Sequence, residues 1–316
     1  MGERALFGFR NGHGWRAGLA GLLALGLSAC AAAGAQRDWH GWAAALQAEG
    51  KLRQDRAPAD APFDAANLVQ AFARIALSAE FQTGYGAAQS SQLEHGILRK
   101  WNGPVPIRLV ASDTDMARIE VPLRATLDRL EAATGITLPW AISYADPEQS
   151  IEPVFTGITI AFGPLEFLAS WADAHAQMLS VYDQGAHAIS ADFRNDVRFW
   201  RRSASPCAFH ALLRNKADGS GLSGVLTTGS VFIEADMPDL VLQTCLEEEL
   251  SQVLGLADDH DQVRPSIYND DQEFAFLTEH DALLLRILYD ERLRPGMSGD
   301  VAMPIVQRIA SELGAE

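Results

Sequence analysis

The 316 residues suffice for one large domain or two small ones, and a hydrophobic content of 48% supplies a packed core. The net charge of −16 argues against binding nucleic acid or anionic lipid head groups, because a strongly acidic surface repels phosphate. It suits cations or basic partners.

In chain order, residues 1–16 carry Arg4, Arg10 and Arg16 against a single acid, Glu3, and an uncharged apolar run follows from Ala17 to Ala29. This is the layout of a secretory signal, and the run falls short of the ~20 apolar residues that span a bilayer. It ends in Leu27-Ser28-Ala29-Cys30, which resembles a bacterial lipobox. The resemblance implies acylation of Cys30, a lipid bilayer as partner and, with Ala31 in place of Asp, the periplasmic side of the outer membrane. Ala31-Ala32-Ala33 and Ala33-Gly34-Ala35 also resemble ordinary cleavage sites, which leaves a soluble periplasmic or secreted form as the alternative. The signal carries a charge of +2, so the remainder stands near −18. With Cys30 set aside, Cys207 and Cys245 remain as an even pair in an oxidising compartment. A Cys207–Cys245 disulfide is the economical reading, and two buried free thiols are the other.

The Ala- and charge-rich stretch 30–62 reads as a tether with a short helix over 39–53. A second helix is predicted over 64–81, where Ala66, Val69, Phe72 and Ile75 recur at helical spacing. Residues 84–91 are small and polar and read as a loop. A strand is predicted over 105–110, a helix from Asp113 or Thr114 to Thr134 with Ile119, Leu123, Leu127 and Leu130 on one face, and strands over 140–144 and 157–162. Residues 164–188 read as helical, 207–214 and 229–234 as strands, and 237–254 as a helix that Gly255 ends. Thr278 with Asp281 forms a capping-box pattern ahead of a final strong helix bearing Leu284, Leu285 and Leu288. The order argues for a mixed α/β or α+β domain, of which α+β is the reading adopted. The chain then divides into a signal (1–29), a lipid-anchored tether (30–62), a helical N-terminal region (63–100), the main domain (101–300) and a C-terminal helix (301–316).

Residues 245–297 carry the most chemistry. Glu248 and Gln252 are four apart on the predicted helix and project from one face, Glu249 sits beside them, and Asp258 follows the Gly255 turn. A zincin uses the same layout, with ligands at i and i+4, a general base at i+1 and a third ligand after a glycine turn. The segment Glu248-Glu249-Leu250-Ser251-Gln252 resembles the metzincin pattern, especially its matrixin-like branch. Pro265-Ser266-Ile267-Tyr268-Asn269 stands where that family has its methionine turn, and 277–289 resembles its closing helix. The stretch through Pro295-Gly296-Met297 also resembles proteobacterial lipoproteins and secreted proteins of unassigned function, in which a Glu-Glu-Leu-x-Gln motif is habitual.

The resemblance implies a zincin-like mixed sheet with a degenerate active-site helix and a closing C-terminal helix. It further implies a divalent ion such as zinc held by Glu248, Gln252 and Asp258, with Glu249 as the catalytic base. Both histidines are replaced, and Tyr268 replaces the methionine. Oxygen ligands suit harder ions than zinc, which favours nitrogen and sulfur.

Plainer readings stand beside these. Glu247 to Glu249 read as a solvated acidic helix face, Gln252 as bonded to a neighbouring strand, and Asp258, Asp259 and Asp261 as turn residues. His260 reads as an exposed loop residue, His210 as a core or edge histidine, and Asp270 and Asp271 as shaping the last loop. Two functions result: a metallopeptidase-like hydrolase of periplasmic peptides, or a non-catalytic envelope lipoprotein that holds a peptide or protein partner.

Overall fold

The computed structural model describes residues 38–77, 96–111, 116–142, 155–172, 205–216, 218 and 221–314. The expected signal and lipobox with Cys30 lie outside them, as do the loop expected at 84–91, the start of the helix expected from 113, the end of the strand expected to 144 and the far part of the helix expected to 188.

Five strands form one sheet: β1 (Ile107–Ala111), β2 (Trp140–Ile142), β3 (Gly157–Gly163), β4 (Cys207–Asn215) and β5 (Leu222–Glu234). Their order is β2-β1-β3-β5-β4, with all pairings parallel except β4 against β5. Every residue of β3 is buried, as a central strand covered on both faces requires. Pleat alternation sorts the side chains. Val110, Ala161 and Phe232 occupy one row across β1, β3 and β5, and they meet Leu168, Trp171 and Ala172 of a helical segment over 165–172. Leu109, Ile160 and Val231 form the next row and face the larger core, built with the remaining helices.

Those helices are α1 (Trp39–Ala48), α2 (Ala65–Leu77), α3 (Met116–Thr134), α4 (Asp239–Val253), α5 (Glu279–Tyr289) and α6 (Gly299–Leu313). Helix α4 packs against β4, β5 and α3, α3 also meets α5, and α2 packs against α6. The fold is a mixed α+β domain, as expected.

Several boundaries differ from the sequence reading. Helix α1 stops at Ala48 and not at residue 53, because Gly50 turns the chain with a φ of +79°. Strand β1 begins at Ile107 and not 105, since Pro106 has no N–H to pair. Helix α4 starts after Pro238. The C-terminal helix spans 299–313 and not 301–316. Strand β5 is much longer than the 229–234 expected. Its first half, with Ser223, Gly224, Thr227 and Thr228, lacks a hydrophobic alternation, yet it pairs with β4 across a register shift and bridges Lys100 through Val225.

Residues 38–62 are built into the domain, although the sequence reads them as part of a tether. Asp38 accepts from Gly41 N to start α1, and Trp39 Nε1 donates to Glu234 Oε2 at the end of β5 over 3.0 Å. Residues 52–56 run beside 272–279 as a strap. Leu52 N donates to Gln272 O, Arg53 N to Glu273 O, Ala275 N to Arg53 O and Glu279 N to Arg56 O, all within 2.7–2.9 Å. The guanidinium of Arg53 joins Asp55, Asp60 and Glu273, and Arg264 closes the same network from the opposite side.

Candidate functional site

Helix α4 is buried almost all round, with Val241, Leu242, Leu246, Leu250 and Val253 among its covered residues. A buried helix tolerates charged side chains only where partners or protons neutralise them. Its three consecutive glutamates meet that demand differently, and none belongs to the freely solvated face that a charge run suggests.

Glu247 is completely buried and paired. Arg56 of the strap donates from Nη2 to Oε1 at 2.6 Å and from Nη1 to Oε2 at 2.7 Å. Gln243 Nε2 and Leu277 N also donate to the carboxylate, and Arg129 approaches to 3.7 Å. This is a charge-assisted, bidentate arrangement.

Among the described residues, no cation is paired with Glu248 or Glu249 in this way. Glu249 is buried and Glu248 half-buried. Burial pushes both carboxyls well above the ordinary range, and the nearby Asp259 pushes both further. Glu248 also feels Glu249, Asp270 and Asp281. Like charges crowded together in a largely buried site oppose one another's ionisation.

Gln252 completes the cluster. Its Nε2 donates to Asp259 Oδ1 at 2.8 Å, and the carboxylate selects the amide N–H for that side. The partner is thus an acid in the following loop, and not a neighbouring strand as expected. Gly255 makes the return possible: its φ is +126°, and a Cβ there would lie 2.3 Å from Arg99 O. Beyond it Asp258 is buried and acts on the buried guanidinium of Arg99, opposing the desolvation that lowers it. Asp259 N donates back to Asp258 Oδ1 at 3.2 Å. The structure therefore brings Asp259 to Glu248, Glu249 and Gln252, while the acid at the position matching the third ligand, Asp258, is set against Arg99. Spacing alone did not separate the two neighbours.

The loop beneath is tightly held. His260 N donates to Tyr268 O at 2.8 Å, and Asn269 Nδ2 donates to Asp261 O and Val263 O. His260 is partly exposed and lies 3.2 Å from Asp261 through Nδ1. Asp271 accepts from Glu273 N, as expected of a residue that shapes this loop. The capping box at Thr278 and Asp281 forms as predicted, and Asp281 Oδ2 also accepts from Ile267 N. Tyr268 is fully buried, and burial raises its hydroxyl well above the ordinary range. His210 is half-buried on the edge strand β4.

A disulfide joins Cys207 at the start of β4 to Cys245 on α4, with Cα atoms 5.8 Å apart. Cys245 stands one turn before Glu248, so the bond fixes the cluster-bearing helix against the sheet edge.

The residues do not fit a catalytic zinc. The set offers no histidine or thiolate, Gln252 presents its N–H side to Asp259, and zinc catalysis needs three protein ligands around an open position. Among the described residues, no group of three or more His, Cys, Asp or Glu side chains is arranged to hold a metal ion. Among them also, no helix is long and apolar enough to cross a membrane.

Fold and site together define an α+β domain with a five-stranded mixed sheet, crossed on its main core face by a disulfide-tied helix that carries a buried acid cluster. The chain belongs to the family described as "Protein of unknown function (DUF2927)", which matches residues 65–308. No curated protein matches the chain. The family match begins at α2, so the strap that pairs with Glu247 precedes it.

Proposed function

We propose that this chain is an exported envelope lipoprotein, anchored through acylated Cys30 on the periplasmic side of the outer membrane, whose zincin-like domain holds a partner and does not hydrolyse it. The zincin-like reading is supported by the order of parts: a parallel sheet with one antiparallel edge strand, a helix beneath it bearing Glu248, Glu249 and Gln252, a glycine turn, a tight loop and the helix α5. The observation that carries the loss of hydrolysis is the bond from Gln252 Nε2 to Asp259 Oδ1, beside two glutamates whose carboxyls burial and Asp259 push above the ordinary range. A hydrolytic centre needs ligands pointing at an open position, and here the amide N–H of Gln252 is spent on Asp259. Strand β4 pairs on one side with β5, and an edge strand is a natural docking line for an extended peptide of an envelope partner.

The test compares wild type with Glu248→Ala and Glu249→Ala. Each is assayed for peptide hydrolysis, for bound metal by elemental analysis and for partner capture from intact membranes. The expected result is no hydrolysis dependent on Glu249, no stoichiometric zinc and a partner retained by both variants. Stoichiometric zinc together with Glu249-dependent cleavage would overturn the reading and restore a metallopeptidase.

A further inference from the structure

Three buried side-chain atoms around the N-terminus of α5 lack a hydrogen-bond partner within the protein: Tyr268 Oη, His280 Nδ1 and Asp281 Oδ1. Such atoms are rare in folded proteins, and several in one place call for a shared explanation. Asp281 cannot turn to relieve its own. Its Oδ2 accepts from Ile267 N at 3.0 Å, Thr278 N at 2.9 Å and Thr278 Oγ1 at 3.0 Å, which pins the carboxylate. Oδ1 is therefore held facing His280 Nδ1 at 3.6 Å, beyond hydrogen-bond reach. The His280 ring is held in turn by an edge contact with Phe63, centroids 5.0 Å apart.

Tyr268 follows Ile267, whose N–H is tied to Asp281, so the Tyr268 backbone runs past the same carboxylate. Among the surrounding charges Asp281 acts on its hydroxyl most strongly. Ser251 lies close enough to influence that hydroxyl, but the contact falls short of hydrogen-bond geometry, and Ser251 Oγ already donates to the carbonyls of Glu247 and Glu248.

We propose that Tyr268 Oη, Asp281 Oδ1 and His280 Nδ1 enclose one ordered internal water, which links the 266–269 loop to α5 beneath the acid cluster. The chemistry matches in number and kind. A buried water makes about 3 hydrogen bonds to protein groups, and three groups are waiting. The water accepts from the Tyr268 hydroxyl and donates to Asp281 Oδ1 and to His280 Nδ1. This assigns a role to the hydroxyl of Tyr268 at a position where the sequence resemblance places a methionine, which has no hydrogen to donate. The assignment is independent of whether the domain hydrolyses anything.

The experiment is a crystal structure of the full-length protein at a resolution that shows waters, with denaturant unfolding of wild type and Tyr268→Phe. The expected result is density for one water within hydrogen-bond distance of Tyr268 Oη and Asp281 Oδ1, and a lowered denaturation midpoint for Tyr268→Phe at unchanged slope. An empty site in wild type, or a direct Tyr268–Ser251 hydrogen bond with no water between Tyr268 and Asp281, overturns the proposal. So does a Tyr268→Phe variant as stable as wild type or more so, because that marks a hydroxyl in a dry site. Should the variant fail to fold, the wild-type density decides.

Discussion

Glu247 and Glu249 lie two residues apart on α4 and both are buried, yet their charges are settled in opposite ways. Glu247 is paired with a guanidinium that arrives from a strap 191 residues earlier. Glu249 meets Asp259 and, among the described residues, no cation, so burial and that neighbour push its carboxyl well above the ordinary range. The same residue type on the same helix becomes a structural ion pair on one side and part of an acid cluster on the other. What differs is the neighbour that tertiary structure delivers, and burial makes that difference expensive to undo.

Removing the disulfide is expected to have the largest effect, because it holds the helix for both sides of this comparison. Opening a loop with a sequence separation of 38 costs about 4 kcal/mol in the chain-entropy account. Urea unfolding of Cys207→Ala/Cys245→Ala against wild type measures it.

Next comes Arg56→Ala, which strands the Glu247 charge. Breaking a buried pair by removing one partner costs about 3–5 kcal/mol, and the partial exposure of Arg56 places the expectation near the lower bound. Arg56→Lys is expected to recover only part of it, because an ammonium cannot reproduce the two-pronged contact. A double variant, Arg56→Ala with Glu247→Gln, is expected to regain stability over Arg56→Ala alone. Failure to do so would show that Arg56 acts through packing on Phe276 and not through charge.

The third effect is smaller at neutral pH and shows mainly in its pH dependence. Glu249 is raised in the folded protein, so the folded state binds a proton that the unfolded state has released above its ordinary value of about 4.5. Its stabilising contribution is fully present below that value and is lost as pH rises toward the folded pKa. Wild-type stability measured from pH 5 to pH 9 is therefore expected to fall more steeply than that of Glu249→Gln, which carries no titrating proton. Parallel curves would mean that Glu249 is ionised in the fold. Asp60 works in the opposite direction: Arg53 holds it down at about 2, so its contribution disappears as pH falls from about 4 through that value.

Much of the framework was legible in the sequence. The helical spacing of Ile119, Leu123, Leu127 and Leu130, the apolar run of β3, the even cysteine pair and the capping box at Thr278 are local signals, and each has its counterpart in the fold. The acid cluster was half legible. Helical spacing placed Glu248, Glu249 and Gln252 together, but the choice between Asp258 and Asp259 depends on how the chain leaves Gly255. The buried state of Glu247 was missed because its partner is remote in sequence. A signal was available: apolar residues surround the helix at Val241, Leu242, Cys245, Leu246 and Leu250, and a helix apolar on every side is a buried one. The strap was missed for the same reason, since an Ala- and charge-rich segment shows its order only once Glu247 and Glu273 are in place to receive its arginines.

The strap also has a mechanical meaning. Residues 52–53 and 272–275 are stitched side by side by hydrogen bonds running across the chain direction. A pull applied at residue 38, once it has stretched α1, loads these bonds together in shear and delivers the force through Arg56 to the middle of α4. Tension at the N-terminus is thereby carried to the helix that bears the acid cluster, and single-molecule stretching from that end should find its first high-force barrier at the strap.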